Sequence, residues 1–148
     1  MFWSEMSPGI VVLALAVLVA VGFGLHRRRV DGRFADGSST TTTWSSLAAV
    51  MPHARLGERA TLVQFSSAFC APCRTTRVVL GDVADRVDGV VHLEVDAEEH
   101  LDVVRELDVR RTPTTLILDA TGAEITRAAG APRREQVLAA LPTLSQEF

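Results

Sequence analysis

Lysine is absent from this 148-residue chain, and cysteine occurs only twice. All fifteen basic residues are therefore arginines, and against 18 acidic residues they leave a formal net charge of −3. That balance gives no case for nucleic acid as a partner, and pairs such as Arg110-Arg111 and Arg133-Arg134 read as solvated surface. Two cysteines fall short of a structural zinc site, and His53, His92 and His100 show no paired ligand spacing, so no metal is expected. No internal repeat is visible, and the 47% hydrophobic content with 22% charged residues is ordinary for a globular protein.

The apolar residues are unevenly spread. Residues 8–25 read "PGIVVLALAVLVAVGFGL", without a charge, and a helix of that length spans roughly the hydrocarbon core of a bilayer. We read it as a single membrane span. A cleaved secretory signal and a buried core helix are the rival readings. A signal needs basic residues before its apolar segment, whereas here "MFWSEMS" precedes it and "HRRRV" follows. Arginines close to a span favour the cytoplasmic side. They predict an outer N-terminus, with Trp3 at the outer interface and everything after Arg27 in the cytoplasm. An extracytoplasmic domain is the alternative.

Residues 30–43, "VDGRFADGSSTTTT", are rich in Gly, Ser, Thr and Asp and predict a flexible linker. The expected organisation is an anchor at 1–29, a linker at 30–43 and one compact domain at 44–148. Within that domain "TTTW" suggests an edge strand and "LAAVMPHA" a short helix capped by serine. "ATLVQFSS" has the composition of a buried strand. "APCRTTRVVLGDVADRV" carries Cys73, Arg77, Leu80 and Ala84 at helical spacing until Asp88-Gly89 stops it, and "VVHLEVD" alternates as a strand does. A helix with Leu101, Val104 and Leu107 on one face follows. A hairpin about Thr121-Gly122 and a last helix with Pro132 in its first turn complete the chain. This order predicts an α/β domain with a mixed sheet and helices on both faces.

Both cysteines lie in "TLVQFSSAFCAPCRTTRVVL". Cys70 falls at a strand-to-helix junction and Cys73 one turn on, a spacing that permits a bridge. The free amides and positive dipole end of a helix N-terminus stabilise a thiolate, which makes Cys70 the nucleophile and the deeper Cys73 the resolving thiol. Pro72 is tolerated because it falls in the first turn. Two inert buried cysteines are the plain alternative, but C-x-x-C opening a helix after a buried strand is a redox arrangement.

With "FCAPCR" after "LVQF", "VDAEEH" ending the next strand, "VRRTPTTLIL", and Gly130 after the final strand, the stretch Trp44 to Leu144 resembles the thioredoxin family, in particular its membrane-anchored thioredoxin-like members. The resemblance implies a thioredoxin-like fold preceded by one transmembrane helix. It implies that Cys70 attacks, that Cys73 resolves, and that Pro113 is cis and faces the cysteines. It also implies that the backbone of Thr112 pairs with an extended substrate chain, a form of strand addition. The Thr112 hydroxyl either contacts the sulfur pair or belongs to a plain strand residue.

Three departures from the family pattern stand out. Phe69 replaces the usual tryptophan, keeping an apolar wall without an indole donor. Gln64 stands where thioredoxin proper has a buried aspartate, and an amide cannot act as a base. His92 takes the place of the partnering lysine, which leaves either a Gln64–His92 contact or an exposed histidine. Arg74 is read as surface. The expected activity is membrane-tethered thiol-disulfide exchange of the protein-disulfide reductase type, without a bound cofactor. Its partners would be a disulfide-containing protein, an upstream thiol reductant and the membrane through residues 8–25. A non-enzymatic docking or redox-sensing module is the alternative.

Overall fold

The computed structural model describes residues 8–36 and 42–143. The chain divides into two compact units, 1–31 and 32–148. The first contains α1 (Pro8–Val30), which has a mean hydropathy of 2.6 in its most apolar window and no buried residue. At 1.5 Å per residue it is about 35 Å long, and Arg27, Arg28 and Arg29 occupy its last turn, where cations complement the helix dipole. It is long and apolar enough to cross a membrane, a property that secretory signals share.

The second unit is a five-stranded sheet with helices on both faces. Its elements are β1 (Phe34–Asp36), α2 (Thr42–Val50), β2 (Ala60–Ser66), α3 (Ala71–Arg86), β3 (Val90–Asp96), α4 (Leu101–Glu106), β4 (Thr114–Asp119), β5 (Glu124–Ala129) and α5 (Arg134–Ala140). The strand order is β1-β5-β4-β2-β3. Among the described residues only β2 and β3 are parallel, joined by α3 as a crossover, and the other pairs are antiparallel. Alternate residues of each strand feed opposite faces. Val63, Phe65, Leu116 and Leu118 pack with Leu47, Val103 and Leu107 on the α2 and α4 side, while Leu62 and Ile117 pack with Leu80, Val83 and Val137 on the α3 and α5 side.

Several local expectations change. The edge strand is Phe34–Asp36, inside the stretch expected to be a linker, and "TTTW" instead contributes to α2. The compact unit accordingly begins at Gly32, not Trp44. Three residues suffice for β1 because β5 supplies the other half of its ladder and Thr126 Oγ1 donates to Ala35 O at 2.7 Å. Gly32 leads into it with φ +73°, and its N–H bonds Ala129 O at 3.0 Å; a side chain there would run into the Ala131 carbonyl.

On α3 the buried face is Cys73, Thr76, Leu80 and Val83, with Arg77 in solvent, because Arg77 turns toward Glu94 on β3. On α4 Val103 is buried instead of Leu101, whose side chain is exposed. Pro132 precedes α5 and lies outside its first turn; Gln136 Oε1 instead accepts from the Arg133 N–H, which begins the helix.

Candidate active site

Buried β2 delivers the chain to the N-terminus of α3. Cys70 is the N-cap with extended backbone, and its sulfur accepts from the Cys73 N–H at 3.2 Å. Pro72 sits in the first turn, where no intrahelical donor is lost. The Cys70 and Cys73 Cα atoms are 5.2 Å apart and the sulfurs are bonded at 2.01 Å. Cys70 is partly exposed, whereas Cys73 is only 2% exposed. Phe69 does not form the expected apolar wall: its side chain is fully exposed.

The segment before Cys70 is held on two sides. Ala68 N–H donates to Glu98 Oε2 at 3.2 Å, which anchors it to the loop after β3. Ser67 Oγ and Thr112 Oγ1 lie 3.0 Å apart and anchor it to the loop before β4. The Thr112 hydroxyl thus meets Ser67 and not the sulfur pair. The Thr112–Pro113 peptide is cis. Pro113 O accepts from Gly130 N at 2.7 Å, and Arg111 Nη2 donates to Ala129 O at 2.8 Å, so the end of β5 fixes this loop from behind. Nothing in the sequence marks Ser67, because a serine at a strand end is too ordinary to signal a contact with Thr112.

Beneath the disulfide, Gln64 is fully buried and its Nε2 donates to Cys73 O at 2.8 Å. A carbonyl can only accept, so the amide orientation is set, and Gln64 Oε1 faces His92 Nε2 at 3.2 Å. His92 must therefore carry its proton on Nε2. Its free lone pair is on Nδ1, turned from Gln64, so His92 offers no base along this path. The expected Gln64–His92 contact is present, and it is a donor chain ending on a carbonyl.

Burial lowers the His92 pKa, with nearby Arg77 in the same direction and Glu94 opposing. Glu94 accepts from Arg77 at 2.6 Å through both oxygens and from Ser66 Oγ at 2.6 Å. These bonds, that from Arg77 foremost, hold its carboxyl below the ordinary range against the opposing effect of burial. Sequence offered no pointer to this ion pair, because Arg77 looked like a core-face position. Among the described residues no group of three or more His, Cys, Asp or Glu is placed to hold a metal ion.

The thioredoxin family profile matches residues 48–143, well over half of the sequence. This chain belongs to the thioredoxin family. It is 34% identical over 74 residues to Thioredoxin H-type 1 of Nicotiana tabacum, covering 50% of this chain and 58% of that protein. With Thioredoxin H-type of Oryza sativa subsp. indica it shares 31% identity over 83 residues, covering 56% and 67%. The chain thus spans 58% and 67% of the length of these two thioredoxins, and 10% of Thioredoxin domain-containing protein 2 of Homo sapiens, which it also matches. Among solved structures, the reduced thioredoxin pre-protein of Schistosoma mansoni superposes with a TM-score of 0.51 at 18% identity, over 64% of this chain and 85% of that one. A thioredoxin-2 of the malaria parasite gives 0.51 at 16% identity, over 55% and 79%. At those identities the superpositions establish the thioredoxin fold alone.

Proposed function

We propose that this thioredoxin-family protein is a membrane-tethered thiol-disulfide oxidoreductase that reduces protein disulfides through a mixed-disulfide intermediate. The observation that carries the reading is the inequality of the two sulfurs. Cys70 is partly exposed at the helix N-cap, in line with the Cys73 N–H, while Cys73 is buried behind it. Once the bond is open, the same N–H and the free amides of the first turn would stabilise a Cys70 thiolate. That thiolate attacks a substrate disulfide, forming the Cys70–substrate bond and releasing one substrate sulfur. Cys73 then attacks Cys70 and the second substrate sulfur leaves, so the substrate gains the two electrons that the dithiol loses.

Ala71 and Pro72 add neither charge nor histidine between the cysteines, which favours a reductase over a strong oxidant. Thr112, beside cis Pro113, would offer its backbone to the substrate chain, and exposed Phe69 would meet the substrate as an apolar contact. The exchange needs no bound cofactor. It does need an upstream thiol reductant to restore the dithiol. Residues 8–25 would anchor the chain, and the arginines after them favour a cytoplasmic domain. An extracytoplasmic domain would instead draw electrons from another membrane protein.

Trapping distinguishes the roles. Cys70→Ser should abolish reduction of a disulfide protein, and Cys73→Ser should accumulate mixed disulfides; equal trapping by both would sink the assignment. The neutral amide of Gln64 favours a second reading, a docking or redox-sensing module. Multiple turnovers on a simple disulfide protein would exclude it.

A further inference from the structure

Thr115 is fully buried, and its hydroxyl is the buried side-chain polar atom that has no hydrogen-bond partner among the described residues. Leaving a buried donor unpaired is costly, and a valine would fill the same strand position without that cost. The location of the hydroxyl gives it a use. Thr115 lies directly opposite Gln64 in the antiparallel β2–β4 ladder, so the two side chains share a face with Cβ atoms about 4.5–5.5 Å apart. That face is the one covered by α3, whose buried residues begin with Cys73. The Gln64 bond to Cys73 O shows which turn of α3 stands over the pair. On its other flank Thr115 pairs with Ala128, a side chain too small to crowd it.

We propose that the Thr115 hydroxyl is the hydrogen-bond donor to the Cys73 sulfur once the disulfide opens, and so a catalytic residue of the resolving step. This rests on the exchange reading above. A thiolate is a stronger acceptor than a bridged sulfur. The hydroxyl makes no hydrogen bond in the disulfide state and gains the Cys73 thiolate as its partner on reduction. In resolution the Cys73 thiolate attacks Cys70, the Cys70–substrate bond breaks, the Cys70–Cys73 bond forms, and the electron pair leaves on the substrate sulfur, which takes a proton from solvent. Thr115 gains and loses no proton; it raises the fraction of Cys73 present as thiolate. The charged groups near this layer are His92 and Glu94 from β3 and Arg77 from α3, all on the far side of Gln64. From β5 the neighbour is Ala128, and α5 brings apolar Val137 to this face of the sheet.

The test uses the full chain in detergent, reduced, in a Cys70→Ser background that leaves Cys73 as the sole thiol, with thiolate formation followed by ultraviolet absorbance against pH. Thr115→Val should move the transition up by about half a pH unit or more, a threefold or greater loss of thiolate at fixed pH below it, while Thr115→Ser stays near the parent. An unmoved transition in Thr115→Val accompanied by a higher Tm would overturn the proposal, and so would Thr115→Ser behaving as Thr115→Val. This titration requires no turnover, so it stands or falls separately from the trapping experiment.

Discussion

Replacing Gln64 by aspartate tests the chemistry beneath the disulfide most directly. Gln64 donates to Cys73 O at 2.8 Å and accepts from His92 at 3.2 Å, fully buried. Aspartate is one methylene shorter and, when ionised, cannot donate. The lost buried bond costs about 1–2 kcal/mol, and a carboxylate at this depth costs more, offset in part by charging His92. A total near 3 kcal/mol corresponds to a fall in Tm of about 10–15 °C for a unit of this size. Gln64→Asn separates the two causes: it has the shorter reach without the charge, and should lose only the first 1–2 kcal/mol.

The rate should move the other way. A carboxylate can take the Cys73 proton where an amide cannot, and well-placed general bases contribute ~10²-fold or more. The amide of Gln64 reaches the Cys73 carbonyl and the shorter aspartate stops short of it, so transfer would run through a water and the gain should be about tenfold. Stopped-flow resolution of a preformed mixed disulfide between about pH 7 and 8 measures it. Equal rates for Gln64→Asp and Gln64→Asn would refute the reasoning, because charge is the only difference between them.

Acidification should destabilise the domain in two windows. Between the usual His92 value of 6.5 and its lowered folded value, the unfolded chain binds the extra proton, so stability falls as pH drops through that range. Glu94 adds stability that is full above its ordinary 4.5 and is lost as pH falls through its lowered folded value. Urea midpoints from pH 7.5 to 5.5 should flatten in His92→Leu, and an unchanged slope would rule out the first window. Arg127→Met should cost about 3 kcal/mol, since it strands buried Glu124, which Arg127 holds at 2.6 Å while also bonding Leu107 O; chemical denaturation measures this, and a loss below about 1 kcal/mol would contradict it. A C-terminal reporter active only in the cytoplasm should be active, whereas activity only of an exported reporter would reverse the proposed topology.

What the sequence determined by itself lies in local patterns. The uncharged run of residues 8–25, the C-x-x-C at a strand-to-helix junction and the hairpin turn at Gly122, where φ is +85°, depend on a few neighbouring residues and on backbone chemistry each residue carries alone. The "VRRTPTTLIL" motif led to cis Pro113 only by resemblance. Tertiary structure decided the rest. A three-residue strand such as β1 has no pattern of its own and exists because β5 offers a ladder edge, which is why a polar stretch that looked like a tether holds part of the sheet. Whether Arg77 faced the core depended on Glu94, brought alongside by the parallel β2–β3 pairing. Gln64 could be suspected from its strand, but only the packing of α3 over β2 and β4 gave it the Cys73 carbonyl and His92 as partners. The same packing left the Thr115 hydroxyl without one, because burial and pairing are properties of facing surfaces, which no single stretch of sequence contains.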